Sequence, residues 1–336
     1  MDTVTTQRLD SPTEAARLLL AGGLVAFPTE TVYGLGVDAT NPAAVARLFT
    51  AKGRPSDNPL IVHLAAADQW SLAARELPDM AKRFLDAFAP GPLTVVLPKR
   101  TEICSRVTAD LDSVAIRIPR CDLARELLAA AQRPIAAPSA NRSGRPSCTT
   151  WQAVLEDLDG RIDAVLCGEL SQVGLESTVI DCCGASPVLL RPGAITLEQL
   201  QAVEPRTRTW EPGREGEGNT AQPLNSPGLR HPHYQPTAQV LLFESAEQLS
   251  ELFAQHDTAL AVVTCQADTR QAVADLSIEH ICMHSHIDST EQYAREFYEL
   301  LRQADRRGAS VVLLELATEA GIGLALRDRQ RRAAAK

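Results

Sequence analysis

Proline and glycine crowd into one stretch of this chain. Of its 21 Pro and 19 Gly, ten fall within residues 204–237, in the company of Glu, Asn and Ser. Proline has no backbone N–H to give to a helix or a central strand, so such a stretch reads as a linker. It leaves roughly 200 residues before it and roughly 100 after it, close to the ~150 residues that one domain commonly uses. The expected organisation is therefore a domain over 1–203, a linker over 204–237 and a smaller domain over 238–336.

Before the linker, short β-branched runs at 24–27, 60–64, 94–97, 114–118, 135–137, 164–166 and 178–181 alternate with helical patterns, which predicts an α/β domain. Asn41-Pro42 forms an N-cap and first-turn pair, and Val45, Leu48 and Phe49 share a helical face. Gly53 stands where a helix end needs positive φ, so Lys52 and Arg54 flank a helix C-terminus. After the linker, runs at 239–243, 260–264, 280–284 and 311–314 alternate with helices. The clearest helix, 291–302, carries Tyr293, Phe297, Leu300 and Leu301 on one face. This predicts a small Rossmann-like parallel α/β unit.

Several classes are set aside. Lys and Arg number 33 against 42 Asp and Glu, a net charge of −9, so bulk charge does not favour tight nucleic-acid or membrane binding. The N-terminus has no signal-peptide pattern and no apolar run is long enough to span a bilayer, which predicts a soluble, cytoplasmic protein. Eight scattered cysteines without a C-x-x-C pair indicate neither a disulfide framework nor a zinc ribbon. There is no G-x-x-x-x-G-K-[ST], no G-x-S-x-G and no H-E-x-x-H, and Gly34-x-Gly36 lacks a third glycine.

Polar residues placed against the grain of apolar strands are the candidates for chemistry. In the SVAIRIP run (113–119) alternation puts Val114, Ile116 and Ile118 on one side, with Ser113 and Arg117 on the other. Arg117 then faces either solvent or a site. His63, in the apolar run 60–64, is either a satisfied core residue or a functional one. Lys52 and Arg54 would complement a helix dipole without any further role.

Read in order, PTETVYGLG (28–36), KGRPSDNPL (52–60), SVAIRIP (113–119), APSANRSG (137–144), ESTVID (176–181) and LRPGAI (190–195) resemble the YrdC-like threonylcarbamoyl-AMP synthase family. SPGLRHPHYQP (226–236) and GIGLALRDRQRRAA (321–334) resemble its long form. The resemblance implies a YrdC-like twisted mixed sheet with flanking helices, followed by the smaller Rossmann-like domain. It also implies an activity: L-threonine, bicarbonate or CO2, and ATP give L-threonylcarbamoyladenylate and pyrophosphate. Other proteins then transfer the threonylcarbamoyl group to an adenosine beside the tRNA anticodon.

By the same resemblance, Thr31, His63, Arg117, the Ala137 backbone and Ser177 form the threonine pocket. Lys52, Arg54, Asn58, Ser113, Ser139, Ser147, Arg191 and Tyr234 bind ATP, accompanied by Mg²⁺, with no dedicated carboxylate ligand identified. Lys52, Arg54, His63 and Arg117 are the catalytic candidates, acting by positioning and electrostatics and without a covalent nucleophile. His63 serves either as a base for the amine or only as a threonine ligand. The end of the linker, with Tyr234, is expected to act as a lid, although Pro232 stands where the family more often has a basic residue.

Two other signals are read as structural. His280, Cys282, His284 and His286 alternate along a strand, too extended for one tetrahedral metal. The basic tail of Arg327, Arg329, Arg331, Arg332 and Lys336 reads as a solvated helix end. The alternative function is a non-catalytic module that binds double-stranded RNA or regulates. The net charge opposes that reading, and phosphate binding alone would not need Thr31, His63 and Ser177.

Overall fold

The computed structural model describes residues 5–210, 233–256, 258–275 and 280–335. The chain divides into a first unit, Met1–Ser143 with Ser147–His231, and a second, Gly144–Pro146 with Pro232–Lys336.

The first unit is built on one mixed sheet. Its strands are β1 (Gln7–Leu9), β2 (Val25–Phe27), β3 (Gly34–Asp38), β4 (Ile61–His63), β5 (Leu93–Pro98), β6 (Ser113–Arg117), β7 (Ile135–Ala136), β8 (Ala164–Leu166), β9 (Thr178–Asp181), β10 (Val188–Arg191) and β11 (Arg208–Thr209). In space they run β1-β8-β2-β3-β7-β4-β6-β5-β9-β10-β11. Parallel pairs such as β4 with β6 sit beside antiparallel ones such as β5 with β6. The fold is thus the mixed α/β sheet that the sequence motifs imply.

Alternation decides what each side of this sheet carries. Ala26, Val62, Val95, Ile116, Ala136, Val165 and Ile180 point into the main core. Helices α2 (Pro42–Lys52), α3 (Asp79–Phe88) and α5 (Trp151–Leu158) close that core with Val45 and Leu48, Phe84 and Leu85, and Val154 and Leu158. On the opposite side one end of the sheet is covered by α1 (Pro12–Leu20) and α4 (Asp122–Ala131), which pack on each other and on Val25, Phe27, Ile135 and Leu166. At the other end Ile61, Val96, Ala115 and Val179 form a separate small cluster. Between these two apolar patches the same side of the sheet is polar.

Helix α2 follows its sequence signals closely. Asn41 caps it by accepting the N–H groups of Ala43 and Ala44, and Gly53 ends it at φ 62°. Strands β1, β3, β10 and β11 were not expected as such. β3 reads GLGVD, and glycine and aspartate weaken the β-branched signal by which the others were found. β11 lies past residue 203, so the first sheet continues into the Pro/Gly-rich stretch. Residues 211–232 of that stretch, including Pro232 and most of the lid motif, lie outside the described residues.

The second unit alternates β12 (Gln239–Phe243), α7 (Ala246–Gln255), β13 (Leu260–Thr264), α8 (Ala267–Asp275), β14 (Ile281–His286), α9 (Thr290–Arg306), β15 (Val311–Glu315) and α10 (Gly323–Ala334) after α6 (Leu197–Val203) of the first. Its strands are all parallel in the order β12-β15-β13-β14, a Rossmann-like sheet. Ser289 caps α9, which buries Tyr293, Phe297, Leu300 and Leu301 as expected and runs longer than the predicted 291–302. His284 and His286 both meet the Thr264 hydroxyl, at 3.2 and 3.0 Å. Among the described residues no group of three or more His, Cys, Asp or Glu is arranged to hold a metal ion. The tail expectation needs one correction: Arg329 is fully buried, paired with Asp328 at 3.0 Å, and not solvated. No helix among the described residues is long and apolar enough to cross a membrane.

Candidate active site

The polar part of the first sheet is centred on Arg117. The alternation that turns Val62, Val95 and Ile116 into the core turns His63, Thr94 and Arg117 to the other side. His63 is the register partner of Arg117 across β4 and β6, and Thr94 is its partner across β5 and β6. All three are buried, and Arg117 is 4% exposed. An aliphatic residue at such a position would stabilise the fold by roughly 1.5–3 kcal/mol, whereas a buried guanidinium must be compensated to be tolerated at all. The outward-charge reading of Arg117 therefore fails.

The compensation comes from the PTETVYGLG loop. Arg117 Nη1 donates to Thr31 Oγ1 at 2.7 Å, and Nε donates to the Gly91 carbonyl at 3.3 Å. Nη2 lies 2.8 Å from Glu30 Oε1, a buried ion pair whose contact is not aligned as a hydrogen bond. Glu30 Oε2 is fixed from behind by the Arg120 N–H at 3.1 Å. A cleft of about 450 Å³, bordered by Thr29, Glu30, Arg120 and Cys121, lies against Glu30 but does not include Arg117 or His63.

On the other side of Arg117 the row continues through Thr94, whose hydroxyl meets Ser177 Oγ at 2.7 Å. Arg191 reaches the Ser177 carbonyl from Nε at 3.1 Å and from Nη2 at 2.9 Å, and Nη2 also approaches Ser177 Oγ at 3.2 Å. This close approach requires Gly193, since a Cβ there would sit 2.3 Å from the Thr178 nitrogen. Ala137 gives its N–H to the Ile61 carbonyl at 2.8 Å, so the backbone group it can offer a ligand is its own carbonyl.

A second cluster surrounds Lys52. Its ammonium, at the end of α2, donates to the Ser139 carbonyl at 2.6 Å and to the Asn141 carbonyl. Ser139 Oγ donates to Asn141 Oδ1 at 2.5 Å, and the Ser143 N–H returns to the Lys52 carbonyl. Burial first, then the Arg54 charge, pulls Lys52 down to about 7. The loop it holds is bound to the motif around Tyr33: Leu35 N–H meets the Pro138 carbonyl and Ala140 N–H the Tyr33 carbonyl, both at 2.8 Å. Arg54 is half-buried and turned onto the carbonyls of Asn58 and Pro59. Ser147 donates to Glu176 Oε1 at 2.7 Å.

One assigned residue of the first unit, Ser113, stands apart from these clusters, and another, Tyr234, lies in the second unit. Ser113 shares the side of β6 with Arg117, but four residues of strand separate them by about 13 Å. Tyr234 belongs to the second unit, where it is buried at φ 68° and its ring lies 5.2 Å from that of Tyr298.

His63 is packed edge-on against Phe27 at 5.9 Å, with Nδ1 3.3 Å from the Ile61 carbonyl. Burial and the neighbouring Arg117 charge push its pKa down to about 3, so it is neutral at ordinary pH. The unfolded chain takes up this proton below about pH 6.5 and the folded chain does not, so stability falls with falling pH by up to about 1.4 kcal/mol per unit. His63→Asn is expected to flatten the urea midpoint between about pH 6.5 and 5 relative to the parent. A parent and variant with the same slope would contradict a neutral His63.

Glu30, Thr94 and Asn141 complete the site and were not among the candidates. Glu30 lies in a loop without periodicity, and its partner is far away in sequence. Thr94 looks like any strand threonine. A signal for Glu30 was nonetheless present, since it stands inside PTETVYGLG next to Thr31.

Comparison with known proteins agrees in extent. A family model described as Telomere recombination, Sua5_yciO_yrdC, matches residues 17–193, and one described as Threonylcarbamoyl-AMP synthase, C-terminal domain, matches 195–335. The threonylcarbamoyl-AMP synthase of Pyrococcus abyssi is 40% identical over 327 residues, 95% of this chain and 92% of the relative. That of Bacillus subtilis is 40% identical over 326 residues, 96% and 92% of the two chains. The crystal structure of P. abyssi Sua5 complexed with L-threonine superposes with a TM-score of 0.86 at 38% identity, covering 98% of this chain and 97% of that one. E. coli YciO, at 21% identity and a TM-score of 0.52 over 60% of this chain and all of its own, matches in fold alone.

Proposed function

This chain belongs to the threonylcarbamoyl-AMP synthase family, and from that membership we propose that it joins L-threonine, bicarbonate or CO2, and ATP into L-threonylcarbamoyladenylate, releasing pyrophosphate. The observation that carries this reading is the buried row of His63, Arg117, Thr94, Ser177 and Arg191. Two buried guanidinium groups, two hydroxyls and a neutral imidazole suit a small amino acid with a carboxylate and a hydroxyl, and suit RNA phosphates poorly.

In this scheme Arg117 takes the threonine carboxylate with two N–H groups, a charge-assisted pair that fixes orientation. Thr31, neutral His63, the Ala137 carbonyl and Ser177 surround the rest of the molecule. The deprotonated amine attacks CO2, forming the N–C bond and an N-carboxylate. An oxygen of that carboxylate then attacks the α-phosphorus as the bond to the bridging β-phosphate oxygen breaks, and pyrophosphate leaves. Burial and the Arg117 charge keep His63 neutral, and in this scheme it serves as a threonine ligand.

In the same scheme Lys52, Arg54 and Arg191 would neutralise triphosphate charge, with Asn58, Ser113, Ser139 and Ser147 as further nucleotide ligands. Mg²⁺ would accompany ATP and shield triphosphate charge when bound, with phosphate and water oxygens as its ligands and no protein carboxylate assigned to it. The product would pass to proteins that modify tRNA next to the anticodon, a role in keeping with a cytoplasmic location.

The decisive measurement is pyrophosphate release from ATP with and without L-threonine and bicarbonate. Release is expected only with all three, and release indifferent to threonine would sink the reading. Serine, which lacks only one methyl, is expected to lose about 10–200-fold in kcat/KM. Valine, which leaves the polar groups of the pocket unpaired, is expected to lose more.

A further inference from the structure

We infer that Glu30 recognises the α-ammonium of threonine and thereby makes the pocket select a zwitterion over a simple anion. This deepens the proposed function and rests on Arg117 holding the threonine carboxylate.

The geometry leaves Glu30 half spent. Its Oε2 is occupied by the Arg120 N–H, and Oε1 touches Arg117 Nη2 at 2.8 Å without forming an aligned hydrogen bond. Both side chains are almost wholly buried, so Oε1 is a desolvated acceptor beside a desolvated donor. Arg117 has five N–H groups. One goes to Gly91 and one to Thr31. The donors left for a ligand thus include those of Nη2, next to Glu30 Oε1. In an α-amino acid the ammonium and carboxylate share one carbon, so a carboxylate drawn to Nη2 brings the ammonium to Oε1.

Charge balance points the same way. Arg117 and Glu30 together carry no net charge, and neither does threonine as a zwitterion, so their union buries no unpaired charge. A carboxylate without an ammonium would leave Glu30 and the ligand as two anions facing one guanidinium. Arg191, the other buried cation of the row, is turned onto Ser177.

The test uses the full-length chain and (R)-3-hydroxybutyrate, which is threonine without its amine, as a competitor of L-threonine in pyrophosphate release. The quantity read is its inhibition constant divided by the threonine KM. In Glu30→Gln this ratio is expected to fall by about tenfold or more, the scale of a hydrogen bond between charged groups. Glu30→Asp keeps the charge and is expected to hold the parent ratio. A packing role would weaken both ligands together and leave the ratio unmoved, so an unchanged ratio in Glu30→Gln overturns the inference. An equal change in Glu30→Asp overturns it as well. The parent alone supplies a second test, since (R)-3-hydroxybutyrate bound as tightly as threonine would be fatal without any variant. Absence of threonine-dependent release in the parent would instead overturn the synthase reading.

Discussion

Arg117→Met is expected to lower kcat/KM for L-threonine by about a thousandfold or more while the KM for ATP stays within a few-fold of the parent. Two charge-assisted hydrogen bonds are lost from a desolvated site, and a thousandfold corresponds to about 4 kcal/mol of transition-state stabilisation. The same substitution removes the partner of Glu30, and a buried carboxylate left unpaired destabilises a fold by about 3–5 kcal/mol. Lost activity alone would therefore be ambiguous. Arg117→Met combined with Glu30→Gln separates the two effects, because it removes both charges. The double variant is expected to recover most of the melting temperature and none of the threonine-dependent pyrophosphate release. Recovery of both would mean that Arg117 serves the fold and not the substrate.

Lys52→Met is expected to lower kcat/KM for ATP by about 10²–10³, the scale of losing one preorganised charge at a reacting phosphate. Lys52 also gives this prediction a signature in pH. Burial and Arg54 hold its pKa near 7, below the usual lysine range. Binding of the anionic triphosphate favours the ammonium, so above about pH 7 ATP binding should take up a proton. The KM for ATP in the parent is then expected to rise with pH in that range, by up to about tenfold per unit, and calorimetry in buffers of different ionisation enthalpy should register the proton. In Lys52→Met both the pH dependence and the proton uptake should vanish. For stability the slope has the same sign as for a paired acid, whose pKa is also lowered on folding: the unfolded lysine stays protonated to about pH 10.5 while the folded one does not. Lys52 therefore adds a stability that increases with pH between about 7 and 10.5, and the variant should lose that increase. An ATP KM flat with pH in the parent would contradict the role assigned to Lys52.

Much of this was legible in the sequence, and the reason differs between elements. Strands β8, β9, β12 and β13 match their predicted bounds because each is a short apolar run between turn residues. Helix α2 was marked at both ends by residues whose side chain or φ does the capping. β3 escaped because its glycines are strand-weakening residues, held in place here by neighbours distant in sequence. At the site, period two alone put Arg117 on the side away from the core, but period says nothing about whether that side meets water. Only the loop carrying Glu30 and Thr31 settles the question, and loops have no period to read. Lys52 shows the same limit. A cation at a helix end is adequately explained by the dipole, and its burial under residues 139–141 is a tertiary fact. Arg329 is the clearest case: a run of arginines looks solvated, yet one member is wholly enclosed.

Arg191, assigned to the nucleotide, spends its donors on Ser177, which is assigned to threonine and is joined to Thr94 beside Arg117. If those assignments hold, the two substrates would draw on one supply of N–H and O–H groups. Phosphate oxygens that recruited Arg191 would relieve Ser177 of a donor and free its hydroxyl for the amino acid, and threonine bound to Ser177 would in turn loosen the hold on Arg191. Such linkage would be reciprocal: whatever factor ATP contributed to threonine affinity, threonine would contribute to ATP affinity.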